Sequence, residues 1–143
     1  MSCCCTKKET ISCESAPAAI GPYSVAVSTG SLVFVSGQLG LDKETGSLVA
    51  GGIQAQTRKA LENMKTILEC AGSSMENVVK TTVFLLDMGQ FSDMNAVYAE
   101  FFTNNFPARS AIQVAGLPKN GIVEIEAIAF KPHDEDEEKG CCH

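Results

Sequence analysis

The chain has 143 residues, 45% hydrophobic, 20% charged and 6% aromatic, with no Trp and a formal charge of −6. That is one domain with a real core and a globular composition, which excludes a disordered, fibrous or disulfide-scaffold chain. No apolar run approaches the roughly 20 residues of a membrane span, the start lacks the apolar stretch of a signal peptide, and the acidity disfavours nucleic acid as a partner. The default compartment is the cytoplasm, with a mitochondrial or nuclear pool left open.

Residues 1–15 read as a disordered extension carrying Cys3, Cys4, Cys5 and Cys13. Residues 16–22 form an extended entry held by Pro17 and Pro22. Strands are predicted at about 23–28 and 31–39, with Thr29-Gly30 as the hairpin turn between them. The run Leu32–Val35 is continuously apolar, which predicts burial on both faces. A helix over 53–71 follows. Ile53, Ala60, Leu61, Met64, Ile67, Leu68 and Ala71 form its apolar stripe, and Gln54, Gln56, Arg58, Lys59, Glu62, Asn63, Lys65 and Glu69 its water-facing side. Gly72 stops it. Cys70, near its end, reads as a small buried hydrophobe.

A strand over 78–86 comes next. Asp87-Met-Gly-Gln90 has the form of a capping box for a second helix, 88–103, whose stripe is Phe91, Met94, Tyr98, Phe101 and Phe102. Strands at 109–115 and 122–130 flank the loop Gly116–Gly121. The order β-β-α-β-α-β-β predicts an α/β (α+β) fold, a single mixed sheet with two helices on one face. The strands do not alternate apolar and polar, so the other sheet face needs a partner, and a homo-oligomer with clefts between subunits is expected. Residues 132–143 are an acidic tail with Cys141, Cys142 and His143, which holds −4 of the charge; ten acids and eight bases leave −2 on residues 16–131.

Both histidines, His133 and His143, lie in that tail, so residues 16–131 offer no Ser–His or Cys–His dyad and no His-based metal site. The spacing of the terminal cysteines is not that of a zinc module, and their odd, end-clustered count does not read as a disulfide framework. The remaining candidates are few. Arg109 opens a sheet strand, where a guanidinium needs an anionic partner: either a ligand carboxylate or an ion pair with Glu124 or Glu126. Glu124 and Glu126 stand at i and i+2 on one face of an apolar strand, marking either a wet cleft or a solvent-facing edge. Tyr23 offers a hydroxyl and a ring, and Gly37, in Ser36-Gly-Gln38, permits close backbone approach.

Five stretches together, Ala16–Tyr23, Ser36-Gly-Gln38, Val79–Phe84, Phe106-Pro-Ala-Arg-Ser110 and Ile122–Ala129, resemble the reactive-intermediate deaminase (Rid, or YjgF-like) family over about residues 16–131. The resemblance implies a chorismate-mutase-like fold and a homotrimer with sites between subunits. It implies hydrolysis of 2-imino acids such as 2-iminobutanoate and 2-iminopropanoate, released by pyridoxal-phosphate enzymes, to 2-keto acids and ammonia, without metal or cofactor. Carried over by position, Arg109 would clamp the substrate carboxylate and Glu124 would activate water. Tyr23, Ser36, Gly37 and Asn95 would line the site, and Ala111 stands where many bacterial members have Cys. Two rival readings remain: a single-strand RNA endoribonuclease or translation inhibitor, against which the charge argues, and a chaperone-like binding module built on the tails.

Overall fold

The computed structural model describes residues 7–132. Its elements in chain order are β1 (Glu9–Ile11), β2 (Ala26–Thr29), β3 (Leu32–Leu39), α1 (Gly52–Cys70), β4 (Val78–Leu85), α2 (Phe91–Phe101), β5 (Ala108–Gln113) and β6 (Val123–Phe130). The six strands form one mixed sheet in the order β1-β2-β3-β6-β4-β5, and β4–β5 is its parallel pair. Each helix links strands by a crossover, so both helices lie on the same face, as expected. Leu61, Met64, Ile67 and Leu68 of α1 and Met94 of α2 form the buried core with Val33, Val35, Val83, Leu85, Val123 and Ile125 of the sheet. Among the described residues no helix is long and apolar enough to cross a membrane.

Four expectations need correction. Within 1–15, residues 9–11 are ordered as β1, which pairs antiparallel with β2, where disorder was expected. Cys70 is not a buried hydrophobe: it is exposed and disulfide-bonded to Cys13 across 57 residues of sequence. The strand β1 returns the N-terminal segment to the sheet, and this brings Cys13 to the end of α1. Gln56 and Asn63, assigned to water by periodicity, are buried. Asn63 Nδ2 donates to the carbonyls of Leu39 and Leu41, and Gln56 Oε1 accepts from the Ile122 N–H, so α1 ties down the end of β3 and the entry to β6. Lastly, Leu32 and Phe34 face outward, 39% and 40% exposed, while Val33 and Val35 are buried. Cys3, Cys4, Cys5, Cys141, Cys142 and both histidines lie outside the described residues.

Two local devices set the direction of α2 and of the second half of β3. The Asp87 side chain accepts from the Gly89 N–H, so it caps a short 3₁₀ turn, Met88–Gln90, that feeds α2 at Phe91. In β3, Val35 pairs with Ala127 and Gln38 with Ile125, so Ser36 and Gly37 together oppose Glu126. This is a β-bulge, a feature that bends a strand and re-aims its side chains.

Candidate functional site

Strand alternation decides where the candidates point. Arg109 pairs in register with Thr81, and Thr81 is fully buried on the helix-covered face, so Arg109 also points to that face, at the sheet edge beside α2. There Arg109 Nη1 donates to Asn95 Oδ1 at 2.8 Å. Its Cζ lies 4.7 Å from the ring centre of Tyr98 and 5.3 Å from that of Phe91, within cation–π range of both. The Tyr98 and Thr81 hydroxyls share a buried 2.8 Å hydrogen bond. Burial raises the Tyr98 pKa, opposed by the Thr81 bond and by the Arg109 charge. Ala111, two residues on, packs partly buried against the core. The ion pairs among the described residues are Arg58–Glu100 and Lys59–Glu62; none involves Arg109.

The other candidates gather on the bare face. In β6, Val123, Ile125, Ala127 and Ala129 are buried under the helices, so Glu124 and Glu126 point away from them. Glu124 is partly buried beside the bulge: a Cβ on Gly37 would stand 2.7 Å from its carboxyl carbon and Oε1. Glycine at 37 is what lets the backbone pass the carboxylate. Burial pushes the Glu124 carboxyl above the usual range, and the Glu126 charge adds to this. Ser36 Oγ donates to the carbonyl of Ser24 at 2.6 Å and Gln38 Nε2 to the carbonyl of Ser36, which joins the bulge to the segment carrying Tyr23. Tyr23 itself is half exposed, and its hydroxyl accepts from the Ile20 N–H.

The fold therefore assembles two groups. Arg109, Asn95 and Ala111 lie on the helix face at the β5 edge; Tyr23, Ser36, Gly37 and Glu124 lie around the bulge and the bare face. The ion pair of Arg109 with Glu124 or Glu126 does not form, because the sheet separates them. A hollow of about 560 Å³ opens beside Tyr23, walled by Cys13, Ala16, Ser24, Val25 and Lys43 among others. A second, of about 490 Å³, lies between residues 75–78 and 101–107 and contains none of the candidates. Among the described residues there is no cluster of three His, Cys, Asp or Glu able to hold a metal. The sequence reading missed Phe91, Tyr98 and Thr81. The first two sat in the apolar stripe of the second helix, and the available signal was Asn95 falling between them on the same turn spacing.

Comparison with known proteins bears on the same stretches. The model of the family described as Endoribonuclease L-PSP matches residues 13–131. A RutC family protein of Pyrococcus horikoshii is 52% identical over 124 residues, covering 87% of this chain and 98% of its own length. The human 2-iminobutanoate/2-iminopropanoate deaminase is 48% identical over 124 residues, covering 87% and 90%. Among solved structures, Escherichia coli TdcF with bound serine superposes with a TM-score of 0.82 at 44% identity, over 87% of this chain and 99% of that one.

Proposed function

We infer the activity from one premise: the chain belongs to the Endoribonuclease L-PSP family, the YjgF/Rid family. The reading is a hydrolytic deaminase that converts reactive 2-imino acids, such as 2-iminobutanoate and 2-iminopropanoate, to 2-keto acids and ammonia. The observation that carries it is Arg109. A partly buried guanidinium held by a neutral amide and two aromatic rings, with no carboxylate paired to it among the described residues, keeps its charge for an anionic ligand. Mammalian relatives at about 50% identity carry the deaminase name, and a relative's structure holds serine, a small molecule with an α-carboxylate.

In this reading the substrate carboxylate takes two N–H groups of Arg109. A water beside Glu124 loses a proton to the carboxylate as its oxygen bonds to C2, whose electrons shift to nitrogen. The resulting carbinolamine is protonated on nitrogen, the C–N bond breaks, and ammonia leaves as the hydroxyl proton departs and C=O forms. An iminium carbon is already electrophilic, so the chemistry calls for no metal or cofactor. Tyr23, Ser36 and Gly37 wall the water side. Since Arg109 and Glu124 of one chain stand on opposite sheet faces, the site is completed by a second copy, within a homotrimer that covers the bare face. Such an enzyme would limit damage from imines released by pyridoxal-phosphate enzymes in the cytoplasm.

The test is decay of 2-iminobutanoate supplied by a threonine dehydratase. Wild type should accelerate 2-ketobutanoate formation, and Arg109→Ala should return it to the uncatalysed rate. An unchanged rate in that variant would sink the carboxylate clamp. RNA cleavage by RNase-free protein that stops in the same variant would favour the endoribonuclease named in the family's description.

A further inference from the structure

We propose that Phe91, Asn95 and Tyr98 are positioning residues that hold Arg109 with uncharged groups alone among the described residues, so that it discriminates for ligands bearing a carboxylate. The inference rests on the proposed deaminase reading and deepens it. The three residues stand at i, i+4 and i+7 along α2, which places them on one stripe of the helix. All three meet the same guanidinium: one through an amide oxygen at 2.8 Å and two through ring faces at 4.7 and 5.3 Å. The stripe is itself anchored. The Tyr98 hydroxyl is bonded to Thr81, a fully buried residue on the strand beside β5 and in register with Arg109, and the Tyr98 ring packs on Phe102 at 4.6 Å.

The chemistry of the holder matters. Arginine carries five N–H donors. Asn95 occupies one of those on Nη1 and brings no charge, which leaves the Nε–Nη2 edge and the full positive charge for a carboxylate. An Asp in the same place would be nearly isosteric. It would form a charge-assisted pair with the guanidinium, and a ligand carboxylate on the open edge would then meet a cation whose charge is already neutralised. Aromatic faces likewise orient the cation without neutralising it. The arrangement fixes the arginine while keeping it electrostatically unsatisfied.

The experiment compares wild type with Asn95→Asp, Asn95→Ala and Tyr98→Phe. Binding of 2-oxobutanoate and of its amide, 2-oxobutanamide, is measured by calorimetry, alongside KM and kcat for 2-iminobutanoate. The expected result for Asn95→Asp is a loss of preference for the acid over the amide by about tenfold or more, the scale of one charge-assisted contact. KM should rise by a similar factor, with kcat little changed and no fall in Tm. Asn95→Ala should lie between wild type and Asn95→Asp, and Tyr98→Phe should raise KM about threefold by releasing the phenol from Thr81. If Asn95→Asp does not fold, the Asn95→Ala and Tyr98→Phe KM values decide. Wild-type preference for the acid in the folded variants, or losses confined to Tm and kcat, would overturn the positioning role. A wild type that does not accelerate 2-iminobutanoate hydrolysis would overturn the deaminase reading, whereas one that does so without favouring the acid over the amide would overturn this inference alone.

Discussion

Glu124 shows how a single residue's environment is set from two sides. Burial disfavours its charge, and Glu126, two residues along the same face, disfavours it further. With its folded pKa above the unfolded value, the stability Glu124 contributes is fully present below the ordinary carboxylate pKa. That contribution is lost as pH rises through the raised value. If the carboxylate is the base, the acid limb of the kcat/KM profile lies above the ordinary glutamate range. Glu126→Gln removes the second cause, so that limb should move to lower pH while burial keeps it raised. A pH profile unmoved by the substitution would assign the limb to another group. Arg109 and Glu124 were legible as candidates because charges inside apolar strands stand out in sequence. Their opposite orientations were not, because they depend on the pairing of β5 with β4 and of β6 with β3 and β4, which is a long-range register.

At the level of elements, the periodicity of the first helix located its core stripe but misassigned Gln56 and Asn63. A polar residue on the flank of a stripe is buried when a backbone group on a neighbouring strand lacks a partner, and the strand's geometry, not the helix's sequence, creates that need. Asn63 meets it twice, at the carbonyls of Leu39 and Leu41. Asn63→Ala should therefore cost about 2 kcal/mol, because it strands two acceptors, and lower Tm by several degrees. The exposed Gln54→Ala on the same helix should shift it little. Equal melting curves for the two variants would show that these bonds do not secure the end of β3. The bulge at Ser36-Gly37 was half legible. The glycine was read as a close-approach point, while the phase shift that keeps both Val35 and Gln38 under the helices comes only from pairing with β6.

Over the whole molecule, the helix-covered face is complete and the opposite face is not. Leu32, Phe34, Ile112 and Phe130 remain 39–46% exposed across it. An apolar surface of that kind calls for a partner, as the sequence pattern expected, while Leu32 and Phe34 are not buried in the single chain. If the proposed oligomer forms through this face, Phe34→Asp should reduce it to monomer by sedimentation velocity and abolish imine hydrolysis together, since the proposed site takes groups from two copies. A variant that stays assembled would remove the bare face as the subunit contact. The overall architecture was readable because two amphipathic helices between apolar strands leave few ways to close a core. The Cys13–Cys70 bridge was not, because Cys13 looked like one of the terminal thiols until β1 brought it back to α1.

That bridge carries a thermodynamic duality. It closes a 57-residue loop, and in the chain-entropy account such a closure restricts the unfolded ensemble by about 4 kcal/mol. Cys70 is exposed while Cys13 is partly buried against the core, so the bridge joins the surface end of the first helix to the packed interior. One sequence with one native fold therefore has two unfolding midpoints. The choice between them is made by the electron donors of its surroundings.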